Sequence, residues 1–398
     1  MAGRTPKCKE PKKIFFIFDD PSAYPPAPSP ETEEESLIAG VPQRPALQLK
    51  FTGTGREYFR IWIVNLCLTL LTLGIFSAWA KVRKKHYFYS HTKLAGTPFQ
   101  YLGQPIPILR GRIIGALLFL AYFVASHFLQ STLPYLLVIG LVVAPWVVIR
   151  SAAFNARYSA FRNITFSFKS DWRAAAQTLY WLGIIPIYVL GAFLHWWEKG
   201  KFVAVATLIG MILFPYWVRR LKAYLICNIS YGGKSAKFTA KGDHFFVTYF
   251  VAALIVTIVG AAGIFGTYAI RSHYSIPITA QSLLPYVMIY SAYALAYAYV
   301  QTRITNLVWS NTRLGPLRFE ANLRFGEMAK LYIVNAAAIL ASAGLLIPWA
   351  IIRSVRYRVE QTKVIPEAEL SEFRGRKGAA VSAAGAETID LFDMDISV

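Results

Sequence analysis

Apolar residues run along this chain in long unbroken blocks. Residues 113–129 (IIGALLFLAYFVASHFL), 202–218 (FVAVATLIGMILFPYWV) and 245–270 (FFVTYFVAALIVTIVGAAGIFGTYAI) contain no Asp, Glu, Lys or Arg. Each approaches or exceeds the roughly 20 residues that cross a hydrocarbon core. The blocks predict three helical hairpins, 113–129 with 133–149, 174–197 with 202–218, and 245–270 with 276–300, or six full spans. Tips such as HFLQSTLP (127–134) have few charges, whereas the bases carry nearly all the Lys and Arg. The positive-inside rule then puts the bases, and with them both termini, in the cytoplasm.

The stretch LLTLGIFSAWAKVRKKHYFY (70–89) breaks an apolar run at Gly74 and turns cationic within ten residues. Its counterpart lies at an offset of 270, where IVNLCLTLLTLGIFSAWAKVR (63–83) matches IVNAAAILASAGLLIPWAIIR (333–353). Asn65 falls on Asn335, Gly74 on Gly344, Trp79 on Trp349, Arg83 on Arg353 and Glu57 on Glu327. An aromatic, an Arg four residues on and a polar residue twelve on recur as Trp79/Arg83/His91, Tyr216/Arg220/Asn228, Tyr299/Arg303/Asn311 and Trp349/Arg353/Gln361. Trp146/Arg150 starts a further copy, with its polar residue displaced to Asn163. Short β-like segments follow most copies: TPFQYLG (97–103), ITFSFK (164–169), AKFTAKG (236–242) and LRFEANLRF (317–325), while LQLKFTG (47–53) precedes the first.

The repeating unit is therefore strand, acid, apolar helix, turn, apolar helix, strand. Residues 1–50 read as a disordered tail, 51–363 as a membrane domain of five units (about 51–99, 99–168, 166–238, 238–319 and 319–363), and 364–398 as an acidic tail. The fold class expected is all-α and polytopic, with short cytoplasmic β-strands between the repeats. In the first and last units acid and Arg are only 26 residues apart, which suits short re-entrant hairpins turning at Gly74 and Gly344. Plain spanning helices over 61–80 and 331–352 would give eight spans instead, but would put Arg353, Arg356, Arg358 and Lys81–Lys85 outside.

The blocks FTGTGREYF (51–59) and IVNLCLTLLTLGIFSAWAKVRKKHYFY (63–89), with TPFQYLG after them, resemble the YjgN-like bacterial inner-membrane proteins over roughly 51–363. The resemblance implies a multi-pass protein of the bacterial inner membrane with no established activity, so it carries over no catalytic residue.

Composition sharpens this picture. Only 16% of residues are charged, against about 25% in soluble domains. The net charge is +21, yet seven of the 21 acids lie in 1–50 and seven in 364–398. The cations stand beside apolar runs, which favours anionic headgroups over nucleic acid as a partner. Cys8, Cys67 and Cys227 suggest neither disulfide nor metal site.

The chemistry-bearing residues are few. Glu57, Asp171, Asp243 and Glu327 open units, and each is expected to pair with the Arg closing its own: Arg83, Arg220, Arg303 and Arg353. Asn65 and Asn335 suit hydrogen bonds between helices. Tyr286, Tyr290, Tyr293 and Tyr297 form a stripe that fits helix packing or a cavity wall. YGGKS (231–235) lacks the first Gly of a phosphate loop, since Asn228 stands there. No catalytic, metal or cofactor constellation is visible, so no enzyme activity is expected. The ending IDLFDMDISV (389–398) alternates apolar and acidic residues and fits either a disordered tail or a strand added to a basic cytoplasmic layer. Two function classes follow: a transporter or lipid- and anionic-solute-handling protein, or a non-transporting scaffold with a protein partner at its cytoplasmic face or C-terminal tail.

Overall fold

A computed structural model of the chain describes residues 45–128, 133–180, 201–273 and 278–367. Ten short strands occupy its centre: β1 (Leu47–Phe51), β2 (Thr92–Leu94), β3 (Thr97–Tyr101), β4 (Ser159–Phe161), β5 (Ile164–Phe168), β6 (Ile229–Tyr231), β7 (Lys234–Phe238), β8 (Thr312–Leu314), β9 (Leu317–Ala321) and β10 (Thr362–Pro366). They close into one antiparallel barrel in chain order, and β1 pairs with β10 at Leu47↔Val364 to complete the ring.

Ten helices are described between the strands: α1 (Gly55–Leu71), α2 (Ser77–His91), α3 (Pro105–Phe128), α4 (Leu133–Tyr158), α5 (Trp172–Leu179), α6 (Lys201–Cys227), α7 (Gly242–His273), α8 (Ile278–Ser310), α9 (Phe325–Ala341) and α10 (Ile347–Glu360). In chain order the elements run strand, helix, helix, strand, five times over. Tight turns join the end of each set to the next, through Ala95–Gly96, Arg162–Asn163, Gly232–Gly233 and Gly315, all at positive φ. Antiparallel pairing therefore puts every tight turn, the start of β1 and the end of β10 on one rim. Every helix pair leaves from and returns to the other rim.

The same backbone hydrogen bond fastens each pair at its base. The residue after the opening strand donates to a carbonyl at the end of the returning helix or one residue past it. It runs Thr52 N to His91 O (2.9 Å), Leu102 N to Tyr158 O (2.8 Å), Lys169 N to Asn228 O (2.8 Å), Thr239 N to Asn311 O (3.1 Å) and Asn322 N to Gln361 O (3.0 Å). The acceptors are the expected polar positions, except in the second set. There the position is held by Tyr158, and Asn163 instead sits in the β4–β5 turn at φ 60°.

Strand residues alternate. Leu49 and Phe51 are buried while Gln48 and Lys50 are exposed; Ala236 and Phe238 are buried while Ser235 and Lys237 are exposed. The buried set packs with side chains from the helix bases, including Tyr58, Tyr87, Phe245, Ile304, Ile352 and Val359, in one apolar core. Interior positions of a narrow barrel are filled by side chains in this way.

The fold is thus not the all-α bundle that the apolar blocks predicted. The strands are three or five residues long, too short to show a period of two on their own. Only ring closure makes them the organising element. Among the described residues, two helices are long and apolar enough to cross a bilayer, Pro105–Phe128 and Gly242–Ala269, rather than six. The block expected to span 174–197 opens with α5, which ends after eight residues at Leu179; residues 181–200 lie outside the described residues, as do the hairpin tip at 129–132 and the C-terminal alternating segment. Tyr, Ser and Gln dilute the hydropathy of α8.

The stretch 61–80 is not one straight helix either. Residues 72–76 form a turn between α1 and α2, with Leu73 at φ 49° and Gly74 at 91°. Gly74 N bonds back to Thr69 O at 2.8 Å, and the Thr72 hydroxyl caps Phe76 N at 2.9 Å. The last set repeats this at 342–346, with Ala343 at 47°, Gly344 at 90°, and Gly344 N bonding Ile339 O at 2.8 Å. Neither 61–80 nor 331–352 is therefore the single straight helix that the eight-span alternative requires.

Candidate functional site

The motif aromatics join one helix pair to the next. Tyr216 of α6 stacks near Phe246 of α7 at 5.9 Å, and Tyr299 of α8 meets Phe325 of α9 edge-on at 5.8 Å. Trp79 of α2 packs with Ala78, Ile108 of α3 and Phe154. Trp349 of α10 lies against Gly55, the first residue of α1, so the last pair closes on the first.

The Arg four residues on serves its own aromatic. Arg150 lies over Trp146 at 5.6 Å, Arg303 over Tyr299 at 5.7 Å and Arg353 over Trp349 at 5.2 Å, as i, i+4 cation–π pairs. Arg83 lies over Phe76 at 5.3 Å. No ion pair joins the expected couples Glu57–Arg83, Asp171–Arg220, Asp243–Arg303 or Glu327–Arg353 among the described residues. The acids instead serve helix starts. Asp171 caps α5 by accepting from Ala174 N at 3.2 Å, while Asp243 and Glu327 sit in the first turns of α7 and α9.

The base of the first pair, beside the seam where Trp349 and Arg356 of the last pair reach Gly55 and Gly53, holds the most developed chemistry. The Tyr87 hydroxyl accepts from Thr54 N (2.8 Å), lies 3.0 Å from Thr54 O, and can donate to Glu57 Oε2 (3.2 Å). Tyr58 stacks on Tyr87 at 5.4 Å, and the His91 ring lies 4.2 Å from it. His91 Nδ1 faces the Tyr87 carbonyl at 2.8 Å, which only a protonated Nδ1 can satisfy, so Nε2 faces Glu57 Oε2 at 3.9 Å. Burial, with Tyr87 adding to it, pushes the Tyr58 phenol up to about 12. Burial also raises Tyr87, and Glu57 reinforces the shift.

Beside this cluster an open cleft of about 360 Å³ is lined by Gly55, Arg56, Phe59, Leu345, Leu346 and Trp349. Its walls are apolar, and Arg56 is its charged member. Arg356 of α10 ties the last pair to the first by donating to Gly53 O at 2.7 Å. Small-ligand sites have this composition, an apolar lining with few polar groups that orient the guest.

The remaining expectations fall elsewhere. Asn335 donates from Nδ2 to Ala350 O (3.2 Å) and Ser354 Oγ (3.0 Å), bridging α9 and α10. Asn65 is buried too, and the Oδ1 of Asn65 and that of Asn335 alike find no hydrogen-bond partner among the described residues. Tyr286, Tyr290, Tyr293 and Tyr297 are all exposed, and of the four rings Tyr297 meets Tyr332 of α9 at 5.6 Å. The helix buries Ala292 and Ala296, whose small side chains admit the neighbour. YGGKS is the β6–β7 turn. No group of three or more His, Cys, Asp or Glu is placed to hold a metal among the described residues.

Tyr87 was missed in the sequence, though a signal was present. A Tyr stands eight residues after the motif aromatic in three copies, as Tyr87, Tyr224 and Tyr357. All three hydroxyls tie down a helix start, Tyr224 by donating to Asp171 O (3.1 Å) and Tyr357 by accepting from Arg324 N (3.0 Å).

A protein-family profile described as "Bacterial protein of unknown function (DUF898)" matches residues 46–391. The "Inner membrane protein YjgN" of Salmonella typhimurium is 24% identical over 359 residues, covering 79% of this chain and 88% of that protein. The protein of the same name from Escherichia coli K12 is 27% identical over 153 residues, 37% of each chain. No solved structure matches.

Proposed function

We propose, for a chain that belongs to the DUF898 family of bacterial proteins and is YjgN-like, the role of an integral inner-membrane protein that handles anionic amphiphiles. Two supports place it in a bilayer. The relatives it matches are named inner-membrane proteins. In addition, α3 exposes Ile113, Ile114, Leu117, Leu118, Phe119 and Phe128, a face far larger than water tolerates. With the helices in the membrane, the barrel stands on its cytoplasmic side and the turns at 72–76 and 342–346 are the tips of re-entrant pairs.

The single observation that carries the amphiphile reading is the seam cleft. Phe59, Leu345, Leu346 and Trp349 suit an acyl chain, and Arg56 beside them suits a phosphate or carboxylate head. Leu345→Trp should fill it. Mass spectrometry of the purified protein should then find less co-purifying phosphatidylglycerol than in the parent, at equal yield. Undiminished lipid in Leu345→Trp and Arg56→Gln alike would reject the reading.

A non-transporting scaffold is the second reading. The barrel interior favours it, because Phe51, Phe161, Tyr231 and Phe238 fill the space that a solute passing through the barrel would need.

A further inference from the structure

The outer wall of the barrel is charged on one half alone. Six adjacent strands, in the order β2, β1, β10, β9, β8 and β7, carry Lys93, Lys50, Lys363, Arg318, Arg313 and Lys237 at outward positions. The remaining strands present Gln100, Ser167 and Ser230 there. Within the wall, like charges are directly opposed: Lys50↔Lys93, Lys237↔Arg313 and Arg313↔Arg318. Such pairs destabilise a sheet unless something neutralises them. Glu320 is the one acid at a strand position of this wall among the described residues, opposite Lys363 in register and 3.5 Å from Arg318, so a single carboxylate faces six cations.

The chain enters and leaves the barrel within this wall, since β1 and β10 are its second and third strands. Residues 14–43, which lead into β1, contain six acids (Asp19, Asp20, Glu31, Glu33, Glu34 and Glu35) and no Lys or Arg. Glu35 is twelve residues before Leu47. Twelve residues of chain reach about 20 Å, nearly the ~24 Å arc of six strands. We infer that the Glu31–Glu35 run docks on the chain's own Lys50–Lys93–Lys363 wall and neutralises it.

Tethering gives the run an effective concentration in the millimolar range, which a free anion would have to exceed. The wall also faces sideways from mid-strand, whereas the helices leave from the rim. Headgroups of a bilayer holding those helices therefore meet the rim before the wall. A docked strand is excluded, because every barrel strand already has two neighbours. The contact is between side chains, and the same closure denies the C-terminal alternating segment an edge to join. The inference does not depend on the seam cleft.

Zero-length carbodiimide cross-linking of the full chain in nanodiscs tests it. Cross-links should join Glu31–Glu35 to Lys50, Lys93 or Lys363, should exceed those to exposed Lys169, just past β5 on the other half, by about tenfold, and should fade near 0.5 M salt. In parallel, changing Glu31, Glu33, Glu34 and Glu35 to Gln should delay elution from heparin resin to higher salt, because the wall is uncovered. Equal cross-linking to Lys169, or elution unchanged by the four substitutions, would overturn the inference. So would wall lysines that phosphatidylglycerol vesicles shield from acetylation equally in both proteins, which would make headgroups the occupant.

Discussion

The Tyr87 hydroxyl sits 2.8 Å from the Thr54 backbone N–H, across 33 residues of chain and at the point where α1 starts. Thr54 in turn caps the helix, its side chain accepting from Glu57 N at 3.3 Å. One phenol therefore fixes where the first helix begins relative to the end of the second. Removing that oxygen leaves a part-buried N–H unpaired, so Tyr87→Phe should cost about 1 kcal/mol. Tyr357→Phe and Tyr224→Phe should cost similar amounts, since they tie down Arg324 and Asp171. Thermal unfolding in detergent checks all three, and a set of unchanged midpoints would show that the bonds carry no stability.

The buried phenols also predict how the fold responds to alkali. Tyr58 and Tyr224 are each pushed up to about 12 from 10.0, chiefly by burial, with neighbouring Tyr87 and Asp171 respectively adding to it. A raised acid favours the neutral form in the folded state. Its contribution is fully present below pH 10 and is lost as pH climbs through 10 to 12, because the unfolded chain releases its proton first. Stability should therefore fall over that window, and the fall should be shallower in Tyr58→Phe than in the parent. Unfolding followed by circular dichroism at pH 9, 10 and 11 tests the slope.

Part of this architecture was legible in the sequence and part was not, for reasons visible in particular residues. The match of Gly74 with Gly344 marked both turns correctly, because a positive φ leaves few residue choices. The aromatic-x-x-x-Arg spacing was equally plain, yet its partner was misjudged. A guanidinium four residues along a helix from an indole or phenol stacks on it without any help from the tertiary fold. Glu57 and Arg83 are joined only if two separate helices happen to present them to each other, and here Tyr87 and His91 reach Glu57 instead. The barrel was hidden because no strand such as Thr312–Leu314 is long enough to announce itself. Its closure depends on Leu47 meeting Val364, a pairing between the two ends of the domain that no local pattern encodes. The seam cleft inherits that difficulty, since its two walls come from the first and last helix pairs.

Two glycines at equivalent helix starts should behave differently. A Cβ on Gly242 would lie 2.8 Å from the Tyr216 ring, whereas one on Gly55 would sit 3.5 Å from Trp349 at ordinary contact distance. Gly242→Ala should thus force the ring aside, at a cost of about 1–3 kcal/mol. Gly55→Ala should be close to neutral, or slightly stabilising through the lost freedom of the unfolded chain. Urea titration of both variants separates them, and equal loss in each would mean that the two joints are packed alike.

The shared rim makes the sharpest prediction about topology. Both α1 and α2 begin or end at the barrel, with Thr52 N and His91 O hydrogen-bonded at 2.9 Å. No arrangement in the bilayer can then separate the start of one from the end of the other. In a background lacking Cys8, Cys67 and Cys227, single cysteines at exposed Lys50 and Lys84 should be protected together from a membrane-impermeant maleimide added to intact cells. Both should react once the inner membrane is opened. A cysteine at Leu73, at the exposed tip of the pair, reports how deep the turn lies. If it sits within the hydrocarbon, it should react slowly from either side. Labelling at 84 but not at 50 in intact cells would require the 72–76 turn to be pulled open and the barrel seam at β1 to part, which contradicts the fold itself.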